Sequence, residues 1–303
     1  MSASLPAAPR LSRQTLLGVL CALSAISLFA SFTLLSRLGI TASLLSAADI
    51  ALLRFAVAGV LMLPVLRHHG LGGIRWRDAF LLALCGGVGF AMFAYTGFSL
   101  VPASHGGALL HGTIPMFTAV LGWLAGQLRL TRRTWYGLLL IQAGIVAVFM
   151  DGGEFATMKE ILGDLSLLMA GLCWAVYGLL CQRLKLTALH TMAIVAVGAM
   201  LCFVPVYALL PTTGFHLASW RDILFQAVFQ GVLIGIISGV LYTRAVGLLG
   251  ASNTALFTAA VPCITAVAGI WLLGEHPSPL VWTGIACVTA GMVIALVFGR
   301  HKS

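Results

Sequence analysis

Charge is what this chain most lacks. Of its 303 residues, 60% are hydrophobic and 8% are charged, where a soluble domain carries about 25% charged residues. Such a chain cannot cover itself with polar surface, so lipid is its solvent. No acidic residue falls in the middle of an apolar run: Asp49, Asp78, Asp164, Asp222 and Glu275 sit near run ends, and Asp151, Glu154 and Glu160 lie between runs. There is no GxxxxGK[ST] loop, so the chain does not itself burn nucleotide. There is no CxxC pair. All seven cysteines fall inside apolar runs and read as small buried hydrophobes, not as a disulfide or metal framework. No HExxH, paired-Cys or Ser-His-Asp constellation is visible, and no cofactor is expected.

Spanning a bilayer takes about 20 apolar residues as helix. Ten such runs can be drawn: Leu16–Leu38, Ala47–Leu66, Ala79–Leu100, Gly106–Leu128, Thr134–Met150, Ile161–Leu184, Leu189–Leu210, Ile223–Leu248, Ala251–Leu273 and Pro279–Phe298. The first follows Arg10 and Arg13 and is too long for a signal-peptide core, so it reads as a retained helix. The short gaps predict antiparallel neighbours.

The net charge of +9 sits in those gaps, which suits membrane topology better than nucleic-acid binding. Basic residues stay in the cytoplasm. With the N-terminus inside, Arg10, Arg13, Arg67, Arg75, Arg77, Arg129, Arg132, Arg133, Arg183, Lys185, Arg244, Arg300 and Lys302 face inward. Arg37, Lys159 and Arg221 face outward, and Arg54 is embedded. Thirteen in, three out and one embedded account for all seventeen. A wrong helix count would scramble this split, so both termini are expected in the cytoplasm.

The stretch from Tyr95 to Gly144 recurs without a gap from Tyr242 to Gly291, 147 positions on. Tyr95-Thr96 meets Tyr242-Thr243, Ala108-Leu109 meets Ala255-Leu256, and Pro115 meets Pro262. Thr118-Ala119-Val120 meets Thr265-Ala266-Val267, Gly122 meets Gly269, and Trp135 and Gly137 meet Trp282 and Gly284. Ala143-Gly144 meets Ala290-Gly291. The first helices match more loosely, Gly18 against Gly163 and Phe29 against Trp174, with a one-residue slip before Arg37 meets Arg183. A period near half the chain means two copies of one unit, here 1–150 and 151–303. Five spans per copy force the second copy in upside down. The expected fold is all-α and integral to the membrane, ten helices in two inverted five-helix repeats. Transporters use this device repeatedly, with the substrate site near the midplane where the copies meet.

Tyr-Thr-x-Ala, a following helix with Ala-x-x-x-x-x-x-Pro, Gly274-Glu275 at its end, and a closing helix with Gly284 and Ala290-Gly291 resemble the drug/metabolite transporter superfamily. The ten-helix EamA-type members are most similar, and among them the aromatic and broad-range amino-acid exporters of the YddG type. The resemblance implies export across a bacterial inner membrane. One departure is visible: Gln127-Leu128 stands opposite Gly274-Glu275, so that glutamate is not a symmetric feature.

Several residues could line a passage. Pro115 and Pro262 each remove a helix hydrogen bond and free the carbonyl four residues earlier. Those carbonyls belong to the repeat mates His111 and Thr258. Unpaired carbonyls at mid-depth are tolerated beside protein or water. Two kinked helices crossing at the centre would turn them toward a cavity, although neighbouring threonines could equally satisfy them. The His111 ring is expected to face the cavity, since a titratable group inside a span is costly. Arg54 could attract a substrate carboxylate, or it could snorkel or pair with Asp49. Trp174 and Tyr177, one turn apart, could stack on a flat ligand; Tyr95 and Tyr242 are expected near the inner or outer boundary. Gln226 and Gln230 share a face, and Gly231, Gly235 and Gly239 just beyond read as a packing stripe. Asn253 and Thr254 read as a helix cap.

Coupled carriers commonly use buried carboxylates. Without them the expectation is movement down a gradient, or weak coupling through His111. The whole points to an alternating-access carrier of amino acids, in a lipid bilayer, as a monomer or weak oligomer. A drug or nucleotide-sugar carrier is the rival, and an intramembrane enzyme or receptor is the rival from another class.

Overall fold

A computed structural model describes residues 13–126, 130–151, 157–209 and 214–298. The expected ends at Gln127-Leu128, Arg129 and Leu210, and most of the seam between the copies, lie outside the described residues. Among those described, ten helices follow the ten runs: α1 Arg13–Ala42, α2 Ala47–His69, α3 Trp76–Leu100, α4 Ala103–Leu124 and α5 Arg132–Phe149. Then come α6 Met158–Leu184, α7 Ala188–Tyr207, α8 Trp220–Leu249, α9 in two pieces, Ala251–Thr258 and Val261–Leu273, and α10 Pro279–Phe298. Eight pass the length and hydropathy required to cross a membrane unaided; α5 and α10 complete the bundle.

Helix ends are fixed by side chains that satisfy orphan amides. Ser46 and Asp49 form a reciprocal capping box at α2, and Thr157 and Glu160 form another at α6. The hydroxyls of Thr131, Thr187 and Ser219 cap α5, α7 and α8. Gly274, at φ +66°, ends α9 in the left-handed conformation that favours glycine. The expected cap at Thr254 is not one: its hydroxyl donates back to the Gly250 carbonyl at 3.0 Å, because α9 has already begun at Ala251. Outward-facing Leu201, Leu209 and Trp271 are largely exposed, a surface that only lipid would cover.

The inverted symmetry is written into one contact. α5 and α10 cross on glycines. A Cβ on Gly137 would lie 2.7 Å from the Gly291 carbonyl oxygen, and one on Gly291 would lie 2.6 Å from that of Gly137. Gly144 and Gly284 do the same, at 2.6 and 2.8 Å. Moving the first pair by the repeat exchanges it with the second, so the interface is self-complementary, as a two-fold demands. The two helices run antiparallel, so the axis is perpendicular to them and lies in the membrane plane.

The same correspondence appears elsewhere. Gly18 of α1 rests on Leu248 and Leu249 of α8, and Gly163 of α6 rests on Leu100 and Val101 of α3. The third helices both loosen into a π-helical stretch, Leu84–Val88 in α3 and Ala227–Ile237 in α8. These overlap when shifted by 147 positions. Such widened turns are frequent at functional sites.

Candidate functional site at the dyad

The fourth helices of the two copies are irregular just before their prolines. α4 is π-helical over Gly106–His111, and α9 breaks at Ala259-Ala260 between its two pieces. They meet directly: a Cβ on Gly107 would stand 2.9 Å from Thr265 Cβ and 3.1 Å from Pro262 Cα. The proline-marked helices therefore touch at this point. Pro262 is buried at the crossing, and Pro115 is partly exposed.

Around this crossing the side chains form two aromatic groups. In the first, Phe29 of α1 stacks on His111 at 6.2 Å and tilts against Tyr242 at 5.8 Å. His111 Nε2 lies 3.3 Å from Thr33 Oγ1. In the second, Trp174 of α6 packs on Phe90 at 4.7 Å and on Tyr177 at 5.1 Å. Phe29 and Trp174 are repeat mates, so each copy contributes one aromatic to the centre. Tyr177 is buried against Gly86. Thr258 is partly exposed, and its hydroxyl donates to the Ala255 carbonyl at 2.7 Å within its own helix.

Behind Phe32 lies a buried polar chain. Tyr95 donates to Gln230 Oε1 at 3.1 Å. Gln230 Nε2 donates to Ser36 Oγ at 2.9 Å and to Gln226 Oε1 at 3.3 Å, and Gln226 Nε2 donates to the Leu35 carbonyl at 3.2 Å. Tyr95 is thus wholly buried. Arg54 sits beside this chain, its guanidinium 5.2 Å from the Phe32 ring centre and 5.7 Å from that of Phe90. Its Nη1 is buried without a hydrogen-bond partner. The pairing with Asp49 does not form. Asp49 instead receives Tyr207 Oη at 2.5 Å and the Gly214 amide at 3.1 Å. The stripe of Gly231, Gly235 and Gly239 packs against Val57, Ala58 and Met192, as expected of packing glycines.

The two ends of the bundle differ. On the face away from the arginine-rich loops, Arg37 Nε donates to Glu275 Oε1 at 2.6 Å. Arg37 Nη1 donates to the carbonyls of Phe98, at 2.8 Å, and Val101. Glu275 also accepts from the Ala103 amide at 2.9 Å. His105 Nδ1 lies 2.8 Å from Asp164 Oδ1, and its Nε2 lies 3.6 Å from Asp151 Oδ2. These ties join α1, α3, α4, α6 and the loop after α9. No local pattern signals these ties, because Arg37 and Glu275 are 238 residues apart.

On this face residues 103–110 of α4 are all buried. Toward the arginine-rich face, residues 114–121 of α4 and 255–258 of α9 are all partly exposed. A helix exposed to lipid on one side alternates buried and exposed positions every three to four residues. Two consecutive turns without a buried residue are open on their inner side too. Gly178 of α6 and Gly247 of α8, at the same end, have nothing within 4 Å of a Cβ. The bundle is sealed on one face and parted on the other. Among the described residues no three His, Cys, Asp or Glu side chains gather as a metal site requires.

The profile of the EamA-like transporter family matches residues 16–150 and again residues 161–297. An uncharacterized protein of Pseudomonas aeruginosa is 28% identical over 94% of this chain and 95% of its own length. The uncharacterized transporters YyaM and YetK of Bacillus subtilis are 27% and 24% identical, over 71% and 81% of this chain and 73% and 77% of their own. A solved crystal structure, described simply as that of a protein, superposes with a TM-score of 0.63 at 17% identity, over 93% of this chain and 97% of its own. That likeness concerns the fold alone.

Proposed function

This chain belongs to the EamA-like transporter family, and from that premise we propose that it exports amino acids, aromatic ones included, by alternating access. The observation that carries this reading is the pair of aromatic groups, Phe29–His111–Tyr242 and Trp174–Phe90–Tyr177, built on the repeat mates Phe29 and Trp174, beside a crossing sealed on one face and parted on the other. Inverted repeats place a solute site where the copies meet. With the basic loops in the cytoplasm, both termini lie on the cytoplasmic side of the bacterial inner membrane and the parted mouth faces the cytoplasm.

Each candidate residue then has a task. Phe29 and Trp174 offer apolar faces to a side chain, and His111 offers a polar edge between them. Thr258 mirrors His111 in the second copy. Arg54, buried and unpartnered at Nη1, supplies the positive field for a carboxylate once Phe32 moves aside. The Tyr95–Gln230–Gln226 chain holds α3 and α8 to α1 behind the site. Pro115 and Pro262 keep the crossing helices from closing into regular backbone. A lining of aromatics and neutral polar groups suits zwitterions and discriminates weakly among them. A carrier of cationic drugs would need a free carboxylate at the centre, whereas Asp49, Asp164 and Glu275 are each tied near the sealed face.

The test is flux of labelled amino acids into proteoliposomes holding the purified protein, with and without a pH difference. The expected result is saturable flux of several amino acids without any imposed ion gradient. Flux of drugs or nucleotide sugars with none of amino acids would overturn the substrate; no solute flux would overturn the carrier.

A further inference from the structure

The repeat lets the sealed mouth be read as a template for the other one. Arg37, at the end of α1, holds the carboxyl end of α3 through the Phe98 and Val101 carbonyls. The Phe98 carbonyl is available because Pro102, four residues on, has no amide hydrogen to give it. The carboxyl end of a helix also favours a cation.

In the second copy α6 stands for α1 and α8 for α3, as the matching rests of Gly18 on α8 and Gly163 on α3 require. The mate of Arg37 is Arg183, and the mates of Phe98 and Val101 are Ala245 and Leu248. Arg183 is exposed at the parted mouth and makes no hydrogen bond or ion pair with a described residue. The contact next to it is also unmade. Phe32 touches Tyr95 and Phe98 on the sealed side, while its mate Tyr177 packs against Gly86 and Trp174, away from α8.

We propose that Arg183 is the latch of the arginine-rich mouth. When that mouth closes, α6 swings onto α8 and the guanidinium docks on the carbonyl end of α8 at Leu248, the mate of Val101; the Ala245 carbonyl is not freed as that of Phe98 is, because the mate of Pro102 is Leu249, which keeps its amide hydrogen. Arg37 lets go of α3 in the same step. The two latches are unequal. Glu275 reinforces Arg37, and its mate is the apolar Leu128, so Arg183 holds by the Leu248 carbonyl alone and the resting protein is sealed at the Arg37 end.

This rests on the alternating-access reading, and the experiment separates the two. Spin labels at Gly178 and Gly247, where space is open, report the mouth in full-length protein whose native cysteines have been replaced. Wild type should show a major long and a minor short distance, and Arg37→Ala should enrich the short one. Arg183→Ala should deplete the short population about tenfold, the scale of losing a charged hydrogen bond, and Arg183→Lys should restore part of it. Two populations whose ratio ignores Arg183→Ala would overturn the latch alone. A single long distance in wild type and in Arg37→Ala would overturn alternating access and the latch with it.

Discussion

Glu275→Gln should loosen the sealed mouth by an amount the structure sets. The glutamate binds Arg37 at 2.6 Å and the Ala103 amide at 2.9 Å, with side chains 11% and 19% exposed for Glu275 and Arg37. So little exposure leaves salt screening weak. Glutamine keeps the shape and can still accept from Ala103; it loses the charge. A hydrogen bond to a charged partner contributes about 1.5–3 kcal/mol and a neutral one about 0.5–1.5 kcal/mol. The difference, roughly 1–2 kcal/mol, shifts an equilibrium about 5- to 30-fold. Ser104 provides the readout, being buried just inside this mouth. In protein lacking its native cysteines, Ser104→Cys is exposed to a membrane-impermeant thiol reagent applied to the Arg37 face. Adding Glu275→Gln should speed labelling by that factor. Unchanged labelling would refute the assignment of the Arg37–Glu275 pair as part of the seal.

His111→Ala should lower flux at least tenfold while insertion and yield stay normal, since the ring packs on Phe29; equal flux per inserted molecule would remove it from the site. Trp174→Leu should raise the KM for aromatic amino acids about tenfold more than that for small ones, a comparison that competition assays read directly. Gly144→Leu should lower the melting temperature in detergent and abolish flux. Its Cβ would meet the Gly284 carbonyl oxygen at 2.6 Å, and overpacking costs about 1–3 kcal/mol. Gly247→Leu, which enters open space, should melt like wild type.

The sequence carried the architecture because lipid leaves few choices. Every buried amide must be paired within its helix, so apolar length marks most of the spans. The repeat was equally open to reading, since the glycines and prolines that recur are those where helices touch or break. Gln226 and Gln230 could be placed together because they lie on one turn. The sealed face could not be read. Arg37 and Glu275, and His105 and Asp164, lie on separate elements, and only packing of the copies brings each pair together. Phe29 and Phe32 are marked only by the repeat, which pairs them with Trp174 and Tyr177, because an aromatic inside an apolar run otherwise looks the same whether it faces lipid or the centre. Arg54 showed its cost but not its surroundings. It rests on two rings instead of on Asp49, whose oxygens Tyr207 and Gly214 already occupy.

Pinning the sealed mouth is the most direct test of the account. Cysteines at positions 37 and 275, in protein otherwise free of them, can be joined by a short bifunctional thiol reagent that a reductant cleaves. Reconstituted protein should lose amino-acid flux when joined and regain it when cleaved. Flux that continues undiminished through the pinned protein would mean that solute does not pass between the two copies.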